Sequence, residues 1–221
     1  MWRLHHFTLC PFSRKVRFAL AVKGVTHELL LERPWEKRAE FNALNPAGQT
    51  PVLQQGAMVL ADSVAILEHF EETLDRTPLL GATPEARAET RRLVAWFDQK
   101  FYGEVGALLL GERMYKRTVL KGAPDGGIIR QAGRQADMHL DYIDFLLEQR
   151  AWLGGGQFGL ADIAAAAHLS VADYLGGLEW DGHDPARTWY SAIKSRPTFR
   201  PLLAERLEGL PPPPHYDKLD F

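Results

Sequence analysis

The sequence predicts an α/β module over residues 1–74 followed by an all-helical one, and three observations carry that reading. Short apolar runs bounded by turn residues occur only before Leu74. The segment 75–83, with Pro78 and Gly81, interrupts the pattern as a linker. From there to residue 207 apolar side chains recur at helical spacing. With 221 residues and 46% hydrophobic content, the chain has enough apolar material for a core in each part.

Taken in order, Trp2 to Leu9 alternates and reads as the first strand, ending at Cys10-Pro11. Val16, Leu20 and Lys23 then fall at helical spacing, so a first helix is expected from about Ser13, as its cap, to Lys23, with Gly24 as its stop. Val25 to Leu31 is β-rich, and strand, helix, strand implies a parallel pair with a right-handed crossover. Glu36 to Phe41 reads as a short polar helix. After the turn Asn45-Pro46-Ala47-Gly48, the run Val52 to Leu60 reads as a hairpin turning at Gln55-Gly56, and Asp62-Ser63 opens a helix that puts Ala65, Ile66 and Phe70 on one face.

In the second part, Glu85 to Leu110 and Gly126 to Gln149 read as long helices separated by a loop over Gly111 to Asp125. The small-residue run Ile163 to Ala167 belongs to a central, tightly packed helix, with Gly159 as N-cap and Asp162 reaching back to close the cap. Pro185 to Ser195 and Phe199 to Leu207 give two more helices. The rest, 208–221, is a tail that four prolines, Pro211 to Pro214, make stiff and extended, and it either packs back on its own domain or is presented as a docking peptide.

The chemistry concentrates at the end of the first strand. Cys10, the one cysteine, stands at a helix start, where unpaired N–H groups and the peptide dipoles favour an anion; Arg14 and Lys15 add positive charge. The bland alternative is a small buried thiol. Ser13 occupies the second position of a C-x-x-S pattern, which excludes an internal disulfide cycle and leaves attack on an electrophile or a mixed disulfide. Thr50-Pro51 is a setting for a cis peptide that turns the backbone of Thr50 toward a ligand. Asp62 and Ser63 are either a plain helix cap or a grip on an ammonium and a carboxylate. Lys+Arg 26 against Asp+Glu 28 gives a formal charge of −2, which offers no case for nucleic acid or an anionic membrane. No signal-peptide core or spanning stretch is present, so a cytoplasmic protein is expected. His5 and His6 lack partners at ligand spacing, so no metal is expected.

Five linked segments give this chain a resemblance to the glutathione transferase family over residues 2–207: C-P-F-S-R-K-V-R-F-A-L, N-P-A-G-Q-T-P-V-L, A-D-S-V-A-I-L, F-G-L-A-D-I and S-R-P-T-F-R. The resemblance implies a thioredoxin-like α/β domain joined to a helical domain, usually as a homodimer, with glutathione as co-substrate. It implies that Cys10 forms a mixed disulfide with glutathione or, with Ser13, positions its thiolate. Thr50 would pair through its backbone with the cysteinyl part, Pro51 would be the family's cis-proline, and Asp62 and Ser63 would hold the γ-glutamyl amine and carboxylate. Asp62 is one methylene shorter than the usual glutamate, and Gly159 stands where Ser or Thr normally caps. The tail resembles the ending of a glutathione-transferase-like bacterial division protein that binds the tubulin homologue FtsZ. That resemblance implies a rival, non-catalytic role in which the helical domain with Tyr216, Leu219, Asp220 and Phe221 meets an FtsZ polymer.

Overall fold

The computed structural model of the chain describes residues 1–219, so Asp220 and Phe221 lie outside the described residues. The chain forms two compact units, Met1–Leu79 and the part from Leu80 on.

The first unit runs β1 (Trp2–His6), α1 (Pro11–Val22), β2 (His27–Leu31), α2 (Ala39–Leu44), β3 (Val52–Gln55), β4 (Met58–Ala61) and α3 (Ser63–Thr73). The sheet order is β2-β1-β3-β4, with β1 and β2 parallel and the other pairs antiparallel. Leu4 on β1 faces Leu29 on one side and Leu53 on the other. Leu4, Val52 and Leu53 are fully buried, as are Val16 and Leu20 of α1 and Ile66 of α3, so the apolar alternation of the strands and the stripes of the helices close on one core. The buried pair Lys23 Nζ to Glu71, 2.6 Å, ties the end of α1 to α3. The same ammonium donates to the carbonyl of Thr77, 3.0 Å, and Glu71 accepts from the Leu79 N–H.

Several boundaries differ from the expectation: β1 ends at His6 rather than Leu9 and β2 begins at His27 rather than Val25, and two others have a local cause. Helix α1 begins at Pro11, because proline presets the helical φ and its missing N–H is no loss at the first position; Cys10, not Ser13, is the N-cap. The polar stretch after β2 splits into a 3₁₀ turn, Pro34–Glu36, and α2, because Lys37 takes a left-handed φ of 49° between them.

The second unit opens with α4 (Pro84–Ala95), whose cap Thr83 accepts from the Ala86 N–H. The helical path continues with the wider π winding over Trp96–Gly106, one α turn at Ala107–Leu109 and π winding again over Leu110–Lys116. The loop expected from Gly111 therefore starts only after Thr118. Glu112 pairs with Lys116 one turn on, at 2.9 Å, and also accepts from the Asp125 N–H, which holds this last stretch helical. Helix α5 (Gly126–Leu147) is capped by Asp125.

Every residue of α6 (Leu160–Tyr174) is buried, as its small-residue run requires of a central helix. Asp162 closes its start by accepting from the N–H of Gly159, 3.0 Å, of Leu153, 2.9 Å, and from Trp189 Nε1, 2.9 Å; burial pushes its carboxyl up to about 6 against those donors. Helices α7 (Asp184–Ser195) and α8 (Arg200–Ala204) follow. Helix α8 stops before the expected Leu207 because Glu205 turns extended and Tyr174 Oη accepts from the Leu207 N–H. Among the described residues, no helix is long and apolar enough to cross a membrane.

Candidate functional site

In the first unit the end of β1, the turn before β3 and the start of α3 carry the residues singled out by the sequence. Cys10 is half-buried, and its Sγ accepts from the Ser13 N–H at 3.4 Å while the thiol donates to the Thr50 carbonyl at 3.3 Å. These two bonds pull in opposite directions. The N–H favours a thiolate, whereas the carbonyl is satisfied only while sulfur keeps its proton. Ser13 serves Cys10 through its backbone; its hydroxyl is buried with no hydrogen-bond partner and is not presented to a ligand. Arg14 and Lys15 are fully buried too, Arg14 donating to the Thr8 carbonyl at 2.9 Å and Lys15 lying over the Phe12 ring.

The Thr50–Pro51 peptide is cis. The preceding turn is braced by Asn45, whose side chain donates to the Gln49 carbonyl and accepts from the Ala47 N–H. Asp62 is the N-cap of α3 with φ 75°, a left-handed conformation that a non-glycine residue adopts only under constraint. One of its carboxylate oxygens takes the Val64 N–H at 2.6 Å, and the side chain is exposed. Ser63 begins the helix and is buried. A γ-glutamyl end fits this helix start, where the second Asp62 oxygen faces no partner among the described residues. The cysteinyl end meets a Thr50 carbonyl that already accepts from Cys10 and keeps a second lone pair for a further donor.

The tail folds onto the second unit, through residues that sequence reasoning missed. Tyr216 is fully buried and packs edge-on against Tyr174, centroids 5.1 Å apart, so it is part of the core and not a presented contact. Fully buried Lys194 donates to the carbonyls of Lys218, 3.0 Å, and His215, 3.4 Å, and lies 3.8 Å from fully buried Asp173. Asp173 in turn accepts from His215 Nε2 at 2.9 Å and from Trp180 Nε1 at 3.2 Å. Burial pushes the Lys194 ammonium down to about 8, only partly offset by Asp173, while the hydrogen bond to Asp173 raises His215. Arg206 pairs with Asp217 at 2.6 Å, and Tyr174 Oη donates to the Leu210 carbonyl. Of the expected partner contacts that are described, only Leu219 is exposed. Asp173 and Lys194 look like ordinary helix residues in sequence, and no spacing signal links them to His215.

The model of the glutathione S-transferase N-terminal domain matches residues 9–73. FtsZ-localized protein A of Caulobacter vibrioides is 51% identical over 99% of this chain and 97% of its own length. Glutathione S-transferase 3 of Zea mays is 30% identical over 96% of both chains. A solved glutathione S-transferase from Rhodospirillum rubrum F11 covers 100% of both chains with a TM-score of 0.97 at 45% identity.

Proposed function

The chain belongs to the glutathione S-transferase family, and from that premise we propose that it acts as a cytoplasmic binding protein that associates with FtsZ polymers through its helical unit and tail. The observation that carries this reading is the clasp of Asp173, Lys194 and His215, which fixes the tail backbone at His215 and Lys218. A buried hold on the backbone orders the approach to the end before any partner arrives, which lowers the entropic cost of docking. Leu219, Asp220 and Phe221 supply the contacts, and Tyr216 anchors them from the core. The likeness to FtsZ-localized protein A over nearly the whole chain supports the same partner. Co-sedimentation tests it. The full chain is expected to pellet with FtsZ polymers and the chain lacking Asp220 and Phe221 to stay in solution. Equal pelleting of both removes the tail from the reading, and no pelleting of the full chain removes the reading.

A second reading is supported by the cis peptide before Pro51 and the constrained Asp62 beside Ser63: glutathione binding in the first unit, with Cys10 as catalytic residue. Glutathione when bound supplies the thiol that attacks an electrophile or a disulfide. The protein's part is to hold the γ-glutamyl end with Asp62 and Ser63, to offer the Thr50 backbone, and to place the Ser13 N–H and Cys10 at the sulfur. Calorimetric titration separates binding from catalysis. Because the Thr50 carbonyl keeps one lone pair free beside its bond from Cys10, Cys10→Ala is expected to bind glutathione about as tightly as the native chain. Loss of binding in that variant would show that Cys10 holds the ligand. Both readings take the chain as a homodimer, expected to sediment at twice the chain mass.

A further inference from the structure

Asp137, Asp141 and Asp144 follow one another at four- and three-residue spacing and lie along one face of α5, and His183, at the N-cap of α7, sits against them with its side chain 6% exposed. Its Nε2 is 3.1 Å from Asp137 Oδ1; its Nδ1 is 2.7 Å from Asp144 Oδ2 and 3.8 Å from Asp141 Oδ1. A neutral imidazole carries one N–H, yet both nitrogens face carboxylates. With Nε2–H donating to Asp137, Nδ1 meets two carboxylate oxygens as a lone pair, and an N···O approach of 2.7 Å between acceptors requires a positive charge between them. A second proton supplies that charge, and so does a metal ion.

We propose that Asp141, Asp144 and His183 form a binding site for a divalent transition metal, with zinc as the ion that best suits one imidazole and two carboxylates. Among the described residues this is the one group of three such side chains whose donor atoms all lie within 4.8 Å of one another. Zinc bonds of about 2.0–2.1 Å place neighbouring tetrahedral ligands about 3.3 Å apart. The observed 2.7 Å and 3.8 Å from His183 Nδ1 straddle that value, and all three donor atoms lie within 4.8 Å of one another, so side-chain adjustment at the exposed Asp141 completes the site. The parts that must stay still are already held. Asp137 fixes the imidazole tautomer as the carboxylate behind a metal-bound histidine does, and the other oxygen of Asp144 accepts from the Ala186 N–H at 2.7 Å. Asp141, whose side chain is 72% exposed, is free to close on the ion. Water takes the fourth position. The ion then pins the last turns of α5 to the N-cap of α7, a role separate from both readings of the function.

Tag-free full-length protein titrated with zinc chloride in a non-coordinating buffer near neutral pH tests this by calorimetry. One zinc per chain is expected, with a thermal midpoint that rises as zinc is added. Asp141→Asn, on an exposed side chain, should keep the metal-free midpoint and lose at least tenfold in affinity. His183→Ala should abolish the site, and Asp137→Asn should weaken it roughly 10–100-fold. The proposal is overturned by the absence of a one-site isotherm up to millimolar zinc, or by Asp141→Asn and His183→Ala binding as tightly as the native chain, which would place the ion elsewhere, Cys10 being the obvious donor.

Discussion

At Asp62 one residue carries one cost, one gain and one proposed ligand contact. Its left-handed backbone is strained, its side chain caps α3, and its remaining oxygen is the group that the second reading offers to a ligand ammonium. The substitutions separate these. Asp62→Ala keeps the strain and loses the cap, so urea unfolding should show a loss of about 1 kcal/mol, in the range of other N-cap deletions. Asp62→Gly relieves the strain and should be the more stable of the two, while both lose glutathione affinity if the second reading holds. Cys10 was legible in the sequence because Pro11 marks a helix start beside it. The part played by Ser13 was not, because a pattern of residue types does not say whether a serine acts through its hydroxyl or through its backbone N–H, and here it is the backbone.

Among the elements, α6 shows a cap on which a whole helix rests. Asp162→Ala would leave the N–H groups of Leu153, Gly159 and Trp189 without acceptors in the interior, and a loss on the order of 3–5 kcal/mol is expected in denaturant unfolding. The clasp makes a different prediction, in pH. Lys194 gives up its proton near 8 in the folded chain and near 10.5 in the unfolded one, so between those values the unfolded state binds more protons and stability rises with pH. The gain is at most about 3 kcal/mol. Urea midpoints of the native chain should climb across that window relative to those of Lys194→Met, which lacks the titrating group. The apolar period marks α5 in the sequence, and the small-residue run with its Gly159–Asp162 cap marks α6. The π winding after Ala95 left no such trace, since a slightly wider turn barely alters which side chains share a face. The expectation of a loop from Gly111 failed for a local reason, the weight given to one glycine over the Glu112–Lys116 pair.

For the molecule as a whole, the division into an α/β and a helical unit was readable because strand patterns stop before Leu74 and only helical spacing follows. The way the tail is held was not, because Asp173, Lys194 and His215 meet only after folding. On the proposed FtsZ-binding reading, that arrangement separates the tail's structural duty from its docking duty. Deleting Asp220 and Phe221 should leave thermal stability within about 0.5 kcal/mol, whereas truncation after Leu210 removes Tyr216 and the acceptors of Lys194 and should lower the midpoint sharply in a melting experiment. The sheet carries one more consequence. It is open at both ends of its order, β2 on one side and β4 on the other, and Leu29 and Leu31 stand exposed on the first as Met58 and Val59 do on the second. Each border offers backbone amides as a template for a further strand, so in concentrated solution the hazard built into this architecture is ribbon-like self-association, and a lysine introduced on β4 at Met58 would blunt it.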